Sequence, residues 1–159
     1  MLEVKIITVG SLKESYLKDA VTEYQKRLSA FSKIEIAELK EYKLPDDPSD
    51  KDIEKALLDE ADRIIKAIPK KSYVIPLCVE GAQLSSEALA SKLEEISLIS
   101  GSVTFIIGSS HGLHDSVKSL SSFKLSVSKL TFPHQLMRVM LLEIIYRAFN
   151  ITKGTKYHK

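Results

Sequence analysis

The chain has 159 residues, 44% apolar and 28% charged, with six glycines and five prolines. That balance excludes collagen-like, disordered and disulfide-scaffold classes and fits a single domain, residues 1–159, with its own core. Net charge is only +2, yet from Lys118 onward eight Lys and Arg face one acid, Glu143, so the last 42 residues carry about +7 and the first 117 about −5. A one-sided basic block points to an anionic partner, RNA foremost, with a plain solvated surface as the alternative. Lone Cys78 suits a reducing cytoplasm. No apolar run approaches the ~20 residues of a membrane span, so no membrane association is expected.

Residues 2–9 are β-branched and apolar and stop at Gly10, which reads as a strand and a turn without the layout of a signal peptide. Leu17, Ala20, Val21, Tyr24 and Leu28 recur at helical spacing, predicting a helix over about 12–28. Ile34, Ile36 and Leu39 alternate with acids in a second strand, 32–39. Leu-Pro-Asp-Asp-Pro-Ser-Asp within 40–51 is a surface loop, and Ser49 or Asp50 caps a helix that Pro69 ends. Ser72–Val79 is a third strand whose prolines argue against a central place, and Gly81 is expected to turn the chain. Ser85-Ser86-Glu87 opens a helix to about Leu98, and Ser102–Ile107 is a continuous apolar run, as for a strand buried on both faces. A short helix near His114 and a last strand, Phe123–Val127, complete an α/β alternation around a mostly parallel sheet.

Ligands in such sheets sit beyond the carboxyl ends of strands, which directs attention to Leu77, Gly108 and the loop after Val127. That loop, polar up to Phe132, feeds an apolar helix through Pro133, placed as a first helical residue. Familiar alternatives are missing: no Gly-x-Gly-x-x-Gly follows the first strand, no P-loop is present, and Gly108–Gly112 has one residue too many for Gly-x-Ser-x-Gly. His111 and His114 lie three apart but lack an obvious third ligand, so no metal is expected.

On the C-terminal helix Glu143, Arg147 and Asn150 share a narrow polar wedge while nearly all else from Leu136 to Ile151 is apolar. Such a helix must be covered on several sides, by central burial or by a second copy. Glu143 and Arg147 are spaced either for a surface ion pair or for an arginine held toward phosphate. The basic tail 151–159, ending in Tyr157-His158-Lys159, is either a frayed terminus or a functional arm.

Phe-Ile-Ile-Gly at 105–108, Gly112-Leu113-His114, the Ser128–Val139 run Ser-Lys-Leu-Thr-Phe-Pro-His-Gln-Leu-Met-Arg-Val, Glu143 with Tyr146-Arg147-Ala148, and the closing Tyr157-His158-Lys159 resemble the RlmH (YbeA-like) family over essentially the whole length. Val9-Gly10-Ser11-Leu12-Lys13 and Leu84-Ser85-Ser86-Glu87 match as well. The resemblance implies a SPOUT-class α/β fold with a C-terminal trefoil knot, an exception to the rule against threaded chains. It also implies a homodimer that transfers methyl from S-adenosyl-L-methionine to N3 of a pseudouridine in large-subunit (23S) ribosomal RNA, in the assembled ribosome. Cofactor contacts would fall on Leu77, Gly108, Val127, Ser128, Lys129, Leu130, Thr131 and Phe132. Arg147, Tyr157 and His158 would work on the substrate side, with His134 as a runner-up. Ser109 replaces the glycine usual after Gly108, and its Cβ is expected to narrow the cofactor approach or demand an unusual backbone angle, tuning affinity. Two other readings stand beside this one: a non-catalytic ribosome- or RNA-binding module, and a SPOUT enzyme acting on transfer RNA.

Overall fold

A computed structural model describes all of residues 1–159. Its elements run β1 (Glu3–Val9), α1 (Ser15–Leu28), β2 (Lys33–Leu39), α2 (Asp50–Ala67), β3 (Tyr73–Ala82), α3 (Ser86–Ile99), β4 (Ser102–Ile107), α4 (Asp115–Ser119) and α5 (His134–Thr152). The four strands form one sheet in the order β2-β1-β4-β3, every pair parallel. Parallel neighbours need crossovers, and the helices supply them while covering both faces.

Alternation along the strands divides the core in two. Val4, Ile6, Ile75, Val103, Phe105 and Ile107 belong to a cluster with Leu28 of α1, Leu93 of α3 and Leu141, Leu142 and Ile145 of α5. Ile7, Val9, Val74 and Ile106 pack on the other side with Ala61 and Ile64 of α2 and Val117 of α4. The expected α/β sandwich is therefore present. Strand β2 lies at one edge with exposed Lys33, Glu35 and Glu38, charges that discourage further pairing. The other edge is β3, which explains how Pro76 is tolerated opposite Ile106.

Local chemistry sets several boundaries. Ser49 Oγ accepts from Asp52 N–H while Asp52 Oδ2 accepts from Ser49 N–H, a reciprocal cap on α2. The Ser49 N–H first, then the Ser49 hydroxyl, holds the Asp52 carboxyl below its usual range. Helix α1 starts at Ser15 and not near Leu12, because the Leu12 and Lys13 N–H groups are engaged by Glu38 Oε2 and Gln135 Oε1, both at 3.3 Å. Pro133 has extended ψ and is the N-cap of α5, one place before the first helical residue.

Two expectations around β3 need correction. Gly81 does not turn the chain; β3 continues through it to Ala82. The reason for glycine is close approach, since a Cβ there would lie 2.7 Å from Leu125 C and 2.8 Å from Lys124 O and Ser126 N. Phe123–Val127 is not a fifth strand either. Leu125 makes isolated bridges to Leu77 and Ala82, with Ala82 N–H donating to Lys124 O and Ser126 N–H to Ala82 O. So few bonds make the segment a strap along the sheet edge and not a ladder. Gly81→Ala is expected to cost ~1–3 kcal/mol by overpacking, read as a lower urea midpoint; an unchanged midpoint would mean that strap and strand separate freely.

Candidate active site

The strand ends named from sequence converge. Beyond the carboxyl end of β4, and alongside the half of β3 that runs past its pairing with β4, lies a cavity of about 230 Å³. Three stretches of chain wall it: Leu77–Glu80, Ile107–Leu113 and Ser126–Phe132, with Lys118, His134 and Met137 closing the remainder. Of the eight positions expected to hold cofactor, Leu77, Gly108, Val127, Ser128, Leu130, Thr131 and Phe132 line it. Lys129 is exposed and does not line the cavity.

The wall from Val127 to Phe132 is unusual in its hydrogen bonding. None of its backbone groups has a backbone partner. Only the Ser128 carbonyl, accepting from Ser126 Oγ at 3.1 Å, and the Leu130 N–H, donating to Ser128 Oγ at 3.0 Å, are satisfied by side chains. Main-chain groups otherwise find partners in water or in a ligand. Opposite them the glycine loop folds tightly on itself. Gly112 N–H donates to Ser109 O at 2.9 Å, and a Cβ on Gly108 would lie 2.3 Å from the Gly112 carbonyl oxygen. Ser109 needs no unusual backbone angle, because Lys71 is the one non-glycine residue with positive φ. Its hydroxyl turns to Glu60, at 3.0 Å. On the third wall Lys118 pairs with Glu80 at 2.5 Å. That bond lowers the Glu80 carboxyl and raises the Lys118 ammonium, while burial pushes the Cys78 thiol up.

Arg147, Tyr157 and His158 are brought together, away from this cavity. Arg147 Nε and Nη2 donate to Glu143 Oε1 at 3.0 and 2.6 Å, and Tyr157 OH donates to Glu143 Oε2 at 2.8 Å. The guanidinium sits 4.7 Å from the Tyr157 ring centroid, and Tyr146 meets that ring edge-on. His158 Nδ1 lies 3.4 Å from Arg147 Nη1, which can only donate, so Nδ1 accepts and Nε2–H donates to Glu87 Oε1 at 2.8 Å. The tail is thus docked on α5 and α3 instead of fraying, and Glu143 with Arg147 forms the base of the dock.

Electrostatics follow from the shared carboxylate. Burial pushes Glu143 up, but Tyr157, Tyr24 and Arg147 outweigh it and hold the carboxyl below its usual range. Burial, then Glu143, raises the Tyr157 hydroxyl, and Tyr24 is pushed up for the same reasons, so both phenols stay protonated at neutral pH. Arg147 is raised by its bond to Glu143 and keeps its charge.

Two buried charged side chains next to these elements are not evident from local sequence alone. Arg138, 1% exposed, donates from Nη1 to Glu38 Oε2 at 2.7 Å and from Nη2 to the Gly10 carbonyl at 3.1 Å. Glu60, 4% exposed, underlies Ser109. Each left a signal: Glu60 continues the apolar stripe of Ile53, Leu57 and Ile64, and Arg138 that of Leu141, Ile145 and Ala148.

The pattern of the predicted SPOUT methyltransferase family matches residues 2–158. A protein of Streptococcus agalactiae serotype III named ribosomal RNA large subunit methyltransferase H is 49% identical over 160 residues, covering 99% of this chain and all of that one. A Methanococcus maripaludis protein bearing the same designation in provisional form is 50% identical over 159 residues, with the same coverage. Among solved structures, a methylase-family protein from Haemophilus influenzae Rd KW20 superposes with a TM-score of 0.57 at 14% identity, covering all of this chain and 72% of that one, a likeness of fold. The chain belongs to the SPOUT methyltransferases. Within them it falls in the family of ribosomal RNA large subunit methyltransferase H.

Two measurements test this geometry. Arg138→Lys keeps the charge but loses the two-pronged grip, and is expected to cost ~2–3 kcal/mol as charge-assisted bonds are lost; a stability equal to wild type in urea titration would remove Arg138 from the account. For the tail, a depressed Glu143 means docking is fully supported above that group's ordinary value of 4.5 and lost as pH falls below it. The raised Tyr157 hydroxyl gives the opposite limit, support below its ordinary value of 10.0 that is lost as pH climbs past it. NMR order parameters at the Cα positions of residues 156–159 should accordingly be highest between these limits, and a flat profile would contradict the shared-carboxylate dock.

Proposed function

We propose that this chain methylates N3 of a pseudouridine in large-subunit (23S) ribosomal RNA, using S-adenosyl-L-methionine and acting as a cytoplasmic homodimer on the assembled ribosome. The observation that carries the reading is the cavity wall 127–132, whose main-chain groups have no backbone partner and which lines the same cavity as the glycine loop Gly108–Leu113. Such a wall suits a nucleoside-like ligand recognised by backbone. The names of the close relatives and the basic last third of the chain supply the substrate side. Lys153, Lys156 and Lys159 are exposed around the docked tail, free to neutralise phosphate.

When bound, S-adenosylmethionine supplies an electrophilic methyl group on a sulfonium. The imide N3 must lose its proton to attack, and the charge that develops needs a fixed cation nearby. We assign that to Arg147, which stays protonated and is held rigid by Glu143. Tyr157, kept as a phenol whose proton is held by Glu143 Oε2, orients the base by accepting a hydrogen bond at its oxygen, and His158 braces Arg147 through Nδ1. The proton leaves to water.

Distance supports reading the protein as a dimer. His134 borders the cavity while Arg147 lies 13 residues further along α5, about 20 Å at the helical rise. Methyl transfer requires reacting groups in contact, so the tail cluster is read as serving the cavity of a second copy. Helix α5 supports this, since Val139, Ile144, Tyr146 and Phe149 are only partly covered by the rest of the chain. The trefoil knot is read from the same region, where residues 122–126 strap across β3 before α5 returns between α1 and α3.

The test is transfer of labelled methyl to ribosomes from a strain lacking the modification, with nucleoside mapping, for the full chain and for one shortened by Tyr157-His158-Lys159. Label at a large-subunit pseudouridine is expected with the full chain only, while calorimetry finds S-adenosylmethionine binding in both. Equal turnover by the shortened chain would overturn the tail's role. Label in transfer RNA, or RNA binding without transfer, would replace the substrate assignment or the activity.

A further inference from the structure

The scheme above leaves Glu60 unused. Its carboxylate is 4% exposed and no Lys, Arg or His pairs with it, for the neighbouring Arg63 is bonded to Asp59 and to the Lys40 carbonyl. A carboxylate removed from water without a cation is costly unless its oxygens are hydrogen-bonded. Glu60 satisfies that condition with donors from two distant segments. Ser109 Oγ donates to Oε1 and Tyr42 N–H to Oε2, each at 3.0 Å.

The first donor matters because Ser109, itself 7% exposed, belongs to the cavity wall. The same helix holds the other end of that loop. Glu54 lies 2.8 Å from His114 Nε2, and His114 Nδ1 accepts from Ser116 N–H to cap α4, so the Nε2–H donates to Glu54. Two carboxylates less than two helical turns apart on α2 therefore grip the glycine loop at its beginning and end. Between them, Gly108 and Gly112 are in backbone contact, leaving the loop little independent freedom. A wall that recognises its ligand through main chain gains affinity from being fixed beforehand.

We infer that Glu60 is a positioning residue for the S-adenosylmethionine pocket. Through Ser109 it sets the backbone of the Gly108–Leu113 wall, and through Tyr42 it ties that wall to the proline- and aspartate-rich segment 40–49. This rests on reading the cavity as the methyl-donor site.

Calorimetric titration of the intact protein with S-adenosylmethionine tests it in wild type, Ser109→Ala, Glu60→Leu and Glu60→Gln. Loss of a hydrogen bond to a buried carboxylate should weaken binding about tenfold in Ser109→Ala and Glu60→Leu. Glu60→Gln can accept from the Tyr42 N–H with its oxygen and donate from its NH2 to Ser109 Oγ, so it should stay within about threefold of wild type, a rescue that loss of packing alone would not produce. In turnover assays Glu60→Leu should raise the cofactor KM about tenfold with kcat within about twofold. Wild-type affinity in both Ser109→Ala and Glu60→Leu would overturn the inference alone; absence of binding in wild type would overturn the cofactor reading and the inference with it. If Glu60→Leu does not fold, Ser109→Ala, which leaves the Tyr42 bond in place, decides.

Discussion

Arg138 joins the parts of this molecule that have to agree before any cavity exists. Its guanidinium is almost wholly out of water, yet it reaches Glu38 at the end of β2 and the Gly10 carbonyl just past the end of β1. Glu38 Oε2 also takes the Leu12 N–H, so one carboxylate gathers the β1–α1 turn and helix α5. Because Pro133 stands immediately before α5, fixing the first turns of that helix fixes where the 127–132 wall must finish. A buried charge is a poor route to stability in general. Here it specifies the meeting of two strand ends with a helix, which apolar packing alone would leave free to slide.

The second constraint is close backbone approach. At Gly81 the strap 124–126 comes so near β3 that a methyl group would collide with main chain, and at Gly108 the glycine loop does the same to itself. These contacts explain why the cavity is walled by backbone. Chain that is pinned by glycine contacts and a few isolated bridges is held in place without spending all its N–H and C=O groups on ladders. What is left over between Val127 and Phe132 faces the space that remains.

Much of this was legible in the residues. Periodicity located the helices and the four paired strands, because each buries one face or both against the two core clusters flanking the sheet. The two errors at β3 share a cause: glycine as a turn former and glycine as a point of close approach look alike until the neighbouring chain is in place. Phe123–Val127 has the composition of a strand, but lacks a partner offering a continuous row of groups. Among site residues, motif resemblance marked the cavity wall apart from Lys129, whose side chain sits outside it. Cys78, Glu80 and Lys118 were not legible as cavity residues, since nothing local distinguishes a polar residue on a strand or short helix beside a cavity from one on the surface. Glu60 and Arg138 were legible in principle as charges inside apolar stripes; what their periodicity omits is the partner, 49 residues away for Ser109 and 100 for Glu38.

Helix α5 then carries a division of labour along its length. Its first turn, with His134 and Met137, closes the cavity; its middle buries Leu141, Leu142 and Ile145 in the core and presents Glu143 on another face; its last turns hold Arg147, which with Glu143 carries the docked tail. A rigid helix keeps these stations apart, so no rearrangement short of breaking it brings Arg147 to the cavity of its own chain. The same rigidity becomes useful in a symmetric pair, where each helix would present its tail cluster at a fixed offset from its own cavity. Docking through Glu143 matters in that arrangement for a physical reason. Under the proposed role, a floating tail would have to lose the freedom of several lysine, tyrosine and histidine rotamers at the moment RNA arrives, whereas a tail already ordered on α5 and α3 would meet the substrate with that cost largely behind it.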